Sequence, residues 1–227
     1  MNHTAAGPEA TAERAGQPVF CSTEKTARRK TPVLSMILRI TQFGESILRE
    51  KGREVETFDD DLHALAQNMV ETMESAEGVG LAAQQVGHPL RLFVVDVGML
   101  PDEELDYALD GRRPPVELIM PMAVVNPRLR TGGGQPLAGE EGCLSFPGIR
   151  GDVPRAPSVV MEYRDLDGAP HTLEAGGWFA RVLQHEYDHV EGVLFIDRME
   201  PRQLRLLETK IKRLKRANRG RGADKPA

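Results

Sequence analysis

Gln184-His185-Glu186-Tyr187-Asp188-His189 is the stretch around which the rest of the chain is read. Two histidines four residues apart lie on one face of a helix, so both imidazoles can meet a single metal ion. The glutamate after the first histidine can reach a water at that ion. The pattern predicts a metal-hydrolase helix; the plain alternative is a surface helix that happens to carry these residues. A catalytic site of the zinc type needs three protein ligands and one open position, so a third ligand must come from elsewhere. Extending the motif as HExxHxxGxxH works as far as Gly192, but Phe195 stands where the third histidine is needed. A glutamate on a later helix would be another route, yet Glu208 sits in a strongly basic amphipathic stretch. The better candidate lies upstream, at Cys143 in Glu141-Gly142-Cys143-Leu144-Ser145.

The chain has 227 residues, enough for one domain with a real hydrophobic core and some tail. Its formal charge of −5 hides an asymmetry: residues 202–227 hold ten Lys/Arg against Glu208 and Asp224. A basic end on an acidic body suggests an anionic partner such as RNA, and a solvated helix with a charged tail is the bland counterpart. The two cysteines, Cys21 and Cys143, lie in unlike contexts, which argues against a structural disulfide and for a reducing compartment. No apolar run approaches the ~18 residues of a membrane span, and no signal-peptide core precedes the domain. A soluble, cytoplasmic protein is expected.

Residues 1–35 are polar and poor in large apolar side chains, so a disordered extension is expected there, with Met36 a candidate true start. From Phe58 the pattern turns helical: Asp59 to Asp61 supply a cap and negative charge, and Leu62, Leu65, Ala66, Met69, Val70 and Met73 recur at helical spacing. Gly78-Val79-Gly80-Leu81-Ala82-Ala83-Gln84-Gln85-Val86-Gly87 reads as a glycine-rich loop that lets backbone approach a ligand or strand closely. It lacks the lysine of a phosphate loop. Leu90 to Val97 and Met122 to Asn126 read as strands, the second stopped by Pro127, with residues 99–117 between them a surface insertion. The three glycines 132–134 mark a loop, and Val159 to Arg164 with His171 to Glu174 form a hairpin turned at Asp167-Gly168. Trp178 to Val190 is the metal helix, closed by Gly192. Pro201 then opens a last helix whose Leu204, Leu207, Ile211 and Leu214 make an apolar stripe opposite basic residues, and a basic tail is expected over 219–227.

With Gly78 to Gln85, Glu141 to Ser145 and Gln184 to His189 in this order and spacing, the chain closely resembles the peptide deformylases, from about Met36 to Asn218. The resemblance implies an α+β fold: small antiparallel β-sheets around a central metal-binding helix, with one helix in the N-terminal region and one at the C-terminus. It implies removal of the formyl group from the N-terminal methionine of newly synthesised polypeptides. The metal ligands would be Cys143, His185 and His189, and the ion Fe2+, with Zn2+, Ni2+ or Co2+ suited to the same donors. Glu186 would carry the proton, and the Leu144 N–H and the Gln85 amide would hold the oxyanion. The peptide would pair in extended form around Val79 and Gly80. Trp178, Arg181 and Val182, one turn before the ligands, would line the methionine pocket, and Glu141 is a further candidate on the substrate side. Glu141, Asp188, Arg150 and Arg155 are candidates to hold the ligands in orientation. The family's C-terminal helix contacts the ribosome. The chain departs from the family pattern in its extension, in residues 99–117 and in Gly139, where a larger apolar residue is common.

Two other readings stand beside this one: a zinc endopeptidase, disfavoured by the cysteine and the missing histidine, and a non-catalytic module that binds formylated N-termini or the ribosome. The intact Glu186 and Gln85 argue against the module, because neither residue is needed for the fold alone.

Overall fold

Asp59 opens the first long helix, α1 (Asp60–Ser75), by accepting a hydrogen bond from the Leu62 N–H at 3.0 Å, with Asp60 and Asp61 in its first turn. The computed structural model describes Met1 and residues 36–219. The rest of the expected extension and tail, and Cys21, lie outside the described residues.

Eight strands follow or surround this helix: β1 (Gly80–Ala82), β2 (Leu92–Val95), β3 (Tyr107–Leu109), β4 (Met122–Thr131), β5 (Leu137–Gly142), β6 (Arg150–Arg155), β7 (Ser158–Arg164) and β8 (Pro170–Gly176). Two more α-helices complete the described residues, α2 (Gly177–Val190) and α3 (Pro201–Asn218). Six strands form one antiparallel sheet in the order β1-β2-β4-β7-β8-β3, and β5 pairs with β6 in a second, two-stranded sheet. This is the expected α+β class.

The central sheet is covered on both faces near β2, which explains its uninterrupted apolar run. Leu92 and Val94 face α1, packing with Leu62, Met69 and Met73, whereas Phe93 and Val95 face α2, packing with Phe179, Leu183 and Val190. Burial of α2 on this sheet fixes the height and rotation of the helix that carries His185 and His189. A third cluster, Phe43, Phe146, Ile149, Val153, Phe195 and Ile211, joins the second sheet to α3. The stripe Leu204, Leu207 and Leu214 packs against that cluster as expected.

Three expectations are corrected. Residues 99–117 are not a surface insertion: β3 pairs with β8, and Leu105, Tyr107 and Val116 are buried in the main core. Pro127 does not stop its strand. A bulge between Val125 and Arg128 absorbs it, with Asn126 at φ 51, so β4 continues without needing the missing N–H. The Asn126 side chain exchanges two hydrogen bonds of 2.8 Å with the Val55 backbone, standing in for a strand partner. The glycine-rich stretch is also more ordered than a loop, forming β1 and then a 3-10 turn over Ala83–Val86.

Candidate metal centre

Helix α2 begins at Gly177, whose φ of 55 turns the chain sharply out of β8, and ends before Gly192 at φ 72. Within it, His185 and His189 share the inner face, both buried. Cys143 follows the end of β5, and its Sγ lies 3.3 Å from His189 Nε2. The ligand atoms of Cys143, His185 and His189 all lie within 4.8 Å of one another.

The His185 ring is oriented from behind. Its Nδ1 meets Glu141 Oε2 at 2.9 Å, leaving Nε2 for the centre. Glu141 is in turn gripped by Arg155, through Nε to Oε1 and Nη2 to Oε2, each 2.9 Å, and by Arg181 Nη1 at 2.9 Å. Arg155 Nη1 continues to Asp188 Oδ2 at 2.6 Å, and Arg198 Nη2 reaches Asp188 Oδ1 at 2.7 Å. Burial alone would raise the Glu141 carboxyl, but the hydrogen bonds from Arg155 and His185 hold it at about 2, so it is ionised throughout the working range. Burial holds the His189 ring well below the ordinary histidine range, in the neutral form that binds metals. Burial also works against charge on His185, yet Cys143 and Glu141 beside it draw its pKa well above ordinary, so a cation is favoured at this point.

Glu186 is buried next to the ligand group, and burial pushes its carboxyl up to about 7 against the opposing charge of His185. Its room comes from Gly80: a side chain there would collide with the Glu186 carboxylate. Gln85 Oε1 accepts from the Ala82 N–H at 2.8 Å, which turns the amide NH2 toward the centre, 3.4 Å from Cys143 Sγ and 3.2 Å from Ser145 Oγ. Leu144 is the first corner of a turn closed by the Phe146 N–H on the Cys143 carbonyl at 2.8 Å, so the turn does not use the Leu144 N–H.

A cavity of about 520 Å³ opens over these groups, lined by Val79, Gly80, Gln85, Glu141, Cys143, Leu144, Trp178, Arg181, Val182, His185 and Glu186. It therefore brings together all the site residues expected from the sequence except His189, which lies beneath Cys143. Trp178 stands at the rim, 40% exposed, and Val182 is buried. Arg181 crosses Gly139, bonding the carbonyls of Leu137 (2.6 Å) and Val153 (2.7 Å), and a side chain at 139 would meet its guanidinium. Of the four candidate orienting residues, Glu141, Arg155 and Asp188 form one network. Arg150 does not join it, facing Glu140 at 3.4 Å on the surface. Arg198 and Ser145 carry no sequence signal of their own beyond the adjacency of Ser145 to the cysteine.

The donors suit a single divalent ion of intermediate softness: one sulfur and two imidazole nitrogens, buried and convergent. Two buried atoms beside them, Glu186 Oε2 and His189 Nδ1, have no hydrogen-bond partner among the described residues. An orphaned carboxylate oxygen next to three donor atoms fits a centre completed by a cation and water.

A cysteine and two histidines of one helix, backed by a buried glutamate and set in an α+β scaffold, define the class: a candidate mononuclear metalloenzyme centre with an open cavity. The family model described as polypeptide deformylase matches residues 37–205. A peptide deformylase of Opitutus terrae is 46% identical over 195 residues, covering 85% of this chain and 100% of that protein. Among solved structures, the peptide deformylase of Thermotoga maritima aligns at TM-score 0.62 with 38% identity, covering 73% of this chain and 99% of that one. That of Thermus thermophilus aligns at TM-score 0.66 with 36% identity, covering 81% and 100%. The chain belongs to the polypeptide deformylase family.

Proposed function

We propose that this chain hydrolyses the N-formyl group from the N-terminal methionine of newly synthesised polypeptides, yielding a free amine and formate. The observation that carries the reading is the convergence of Cys143, His185 and His189 with Glu186 and Gln85 around one cavity, in a member of this family.

Cys143, His185 and His189 would hold one divalent cation, Fe2+ in this reading, with Zn2+, Ni2+ and Co2+ suited to the same donors. When bound, such an ion acidifies a coordinated water and polarises the formyl oxygen. Glu186 takes the proton from the attacking water, and the burial that raises its carboxyl suits a group that must accept a proton and return it. As negative charge grows on the formyl oxygen, the Leu144 N–H and the Gln85 amide donate to it, each such donor being worth roughly 2.7–4 kcal/mol. Glu186 then gives its proton to the departing nitrogen, the C–N bond breaks, and formate leaves.

An extended peptide would lie along Val79 and Gly80 at the outer edge of the sheet, beside β1, while Val182, Trp178 and the stem of Arg181 wall the methionine side chain. Glu141 lines the same wall but serves mainly to orient His185. The catalytic unit in this reading is residues 36–218. No described helix is long and apolar enough to cross a membrane. A cytoplasmic site of action, and contact of the basic face of α3 with ribosomal RNA, complete the proposal.

The test is formate release from a formyl-Met peptide by anaerobically purified, metal-loaded protein, with mass spectrometry on the same sample. Formyl-Met peptides should be turned over, acetyl-Met peptides far more slowly, and unstructured proteins left uncut. Internal cleavage without formate, or binding of formyl-Met peptides without turnover under any divalent metal, would overturn it.

A further inference from the structure

Thr41, Gln42 and Phe43 run between the two loops that carry the proposed oxyanion donors. On one side, the Thr41 N–H donates to the Gln85 carbonyl at 2.7 Å and Thr41 Oγ1 donates to the Gln84 carbonyl at 3.1 Å. On the other, Gln42 Nε2 donates to the Leu144 carbonyl at 3.2 Å and the Phe43 N–H to the Ser145 carbonyl at 2.9 Å. The segment is itself anchored. The Gln42 N–H donates to Glu45 Oε1 at 2.7 Å, Arg39 grips Glu45 at 2.9 and 2.7 Å, and Phe43 stacks on Phe146 at 4.7 Å.

Resting on the proposed function, the geometry points to Gln42 as a positioning residue, with Thr41 as its counterpart, that sets the spacing between the Gln85 amide and the Leu144 N–H. Neither touches the cavity. The turn from Cys143 to Phe146 orients Leu144, and the bond from Gln42 removes the remaining rotation of that corner. The 3-10 turn carrying Gln85 is held by Thr41 in the same way. Two donors on separate loops can serve one oxygen only if the loops keep a fixed distance, since a misplacement of about 1 Å can cost on the order of a hundredfold in rate. A second observation supports a role beyond packing. Gln42 Oε1 is buried with no hydrogen-bond partner among the described residues, so within the described protein this amide is engaged through its NH2 end alone.

Gln42→Met keeps the length of the side chain and removes the donor; Thr41→Val does the same for the hydroxyl. In metal-loaded protein acting on a short formyl-Met peptide, Gln42→Met should lower kcat by about tenfold with KM and metal content within about twofold of the parent. Thr41→Val should lower kcat in the same manner by a smaller factor. A kcat within about twofold of the parent in Gln42→Met, or losses in both variants that track lost metal or a lowered melting midpoint, would overturn the inference. Should Gln42→Met fail to fold, Thr41→Val decides by the same criteria. Failure of the functional reading is separable, because it appears as a parent that releases no formate. In that event the NMR shifts of the Leu144 amide and the Gln85 side-chain amide in zinc-loaded protein decide: displaced in Gln42→Met they support the positioning role, unmoved they sink it.

Discussion

His185 Nδ1 and Glu141 Oε2 lie 2.9 Å apart, and this bond ties the ring to a relay of charge in which Glu141, Arg155 and Asp188 are buried and Arg198, half exposed, forms the outer end. Glu141 and Arg155 reach in from the two-stranded sheet, so the ring is held by β5 and β6 as well as by its own helix. Glu141→Gln keeps the shape but weakens the acceptor, and it should lower metal affinity about 10–100-fold. Titration with a competing chelator would measure this, and parent-like affinity would count against the orienting role. Arg155→Met leaves two buried carboxylates without their shared cation and should destabilise the fold by roughly 3–5 kcal/mol.

Glu186→Gln separates binding from chemistry. Burial holds the Glu186 carboxyl near 7, and an amide in its place cannot accept a proton. The variant should fold, load with metal and be nearly inactive, with kcat down by about 10²–10⁴. Turnover within about tenfold of the parent would rule Glu186 out as the proton carrier.

Gly80→Ala tests the space that Glu186 occupies. Gly80 pairs with Val95 at the edge of the central sheet, and its missing side chain is what lets the Glu186 carboxylate approach the strand. An added methyl must displace that carboxylate, so kcat should fall steeply while metal content stays full. Because the residue is in a strand without a positive φ, alanine itself is tolerated by the backbone, and the melting midpoint should fall only modestly. Unchanged kcat would show that Glu186 has other room.

Much of this was legible in the sequence where chemistry or local backbone demanded a particular residue type. The i, i+4 histidines, the Asp59 cap, Gly192 after α2, Pro201 at the start of α3 and the Asp167-Gly168 hairpin are all signals that act within a few residues. Strand β3 was not legible, because Tyr107 to Leu109 is a three-residue segment set among prolines and charges, and only pairing with the distant β8 makes a strand of it. Strands β5 and β6 carry little apolar alternation, since part of their stability comes from Arg181 and Arg155 reaching in from α2 and within the sheet. Pro127 misled because a bulge, which has no fixed local signature, removed the need for its N–H. The roles of Gln42 and Arg198 depend on partners remote in sequence, which no spacing rule connects.

His171 gives a pH signature independent of the active site. Its Nδ1 meets Asp110 Oδ2 at 2.8 Å and its Nε2 meets Asp165 Oδ2 at 3.3 Å, and the hydrogen bond with Asp110 above all raises its pKa. A raised folded pKa means that the stabilisation is fully present below the unfolded value of about 6.5 and is lost as pH rises through the folded value. The pair is partly exposed, so the effect should stay below about 1 kcal/mol. His171→Asn should therefore be less stable than the parent at pH 5.5 to 6, and the gap should close above the folded pKa. Urea unfolding across that range measures it, and a gap that widens with rising pH would refute the assignment.

Helix α3 offers the last test, because its two faces do different work. Leu204, Leu207, Ile211 and Leu214 pack toward the cluster behind Cys143, while Arg202, Arg205, Lys210, Arg213 and Arg216 are exposed on the other face. Glu208 is paired with Lys212 at 2.6 Å, so it offsets one charge of the face. If this face meets ribosomal RNA, each cation that neutralises a phosphate releases a counterion, and affinity must fall with salt in proportion to the phosphates neutralised. Replacing Lys210, Arg213 and Arg216 with glutamine removes three exposed charges without touching the apolar stripe. The slope of log affinity against log salt should then become shallower by up to about 0.7–0.9 for each phosphate no longer neutralised. Formate release from a short peptide should be unchanged, because none of the three lines the cavity. Binding to ribosomes at several salt concentrations, alongside peptide turnover, decides it. An unaltered salt slope would leave the basic face a solvated surface, and a loss of peptide turnover in the same variant would show that the helix acts on the active site instead.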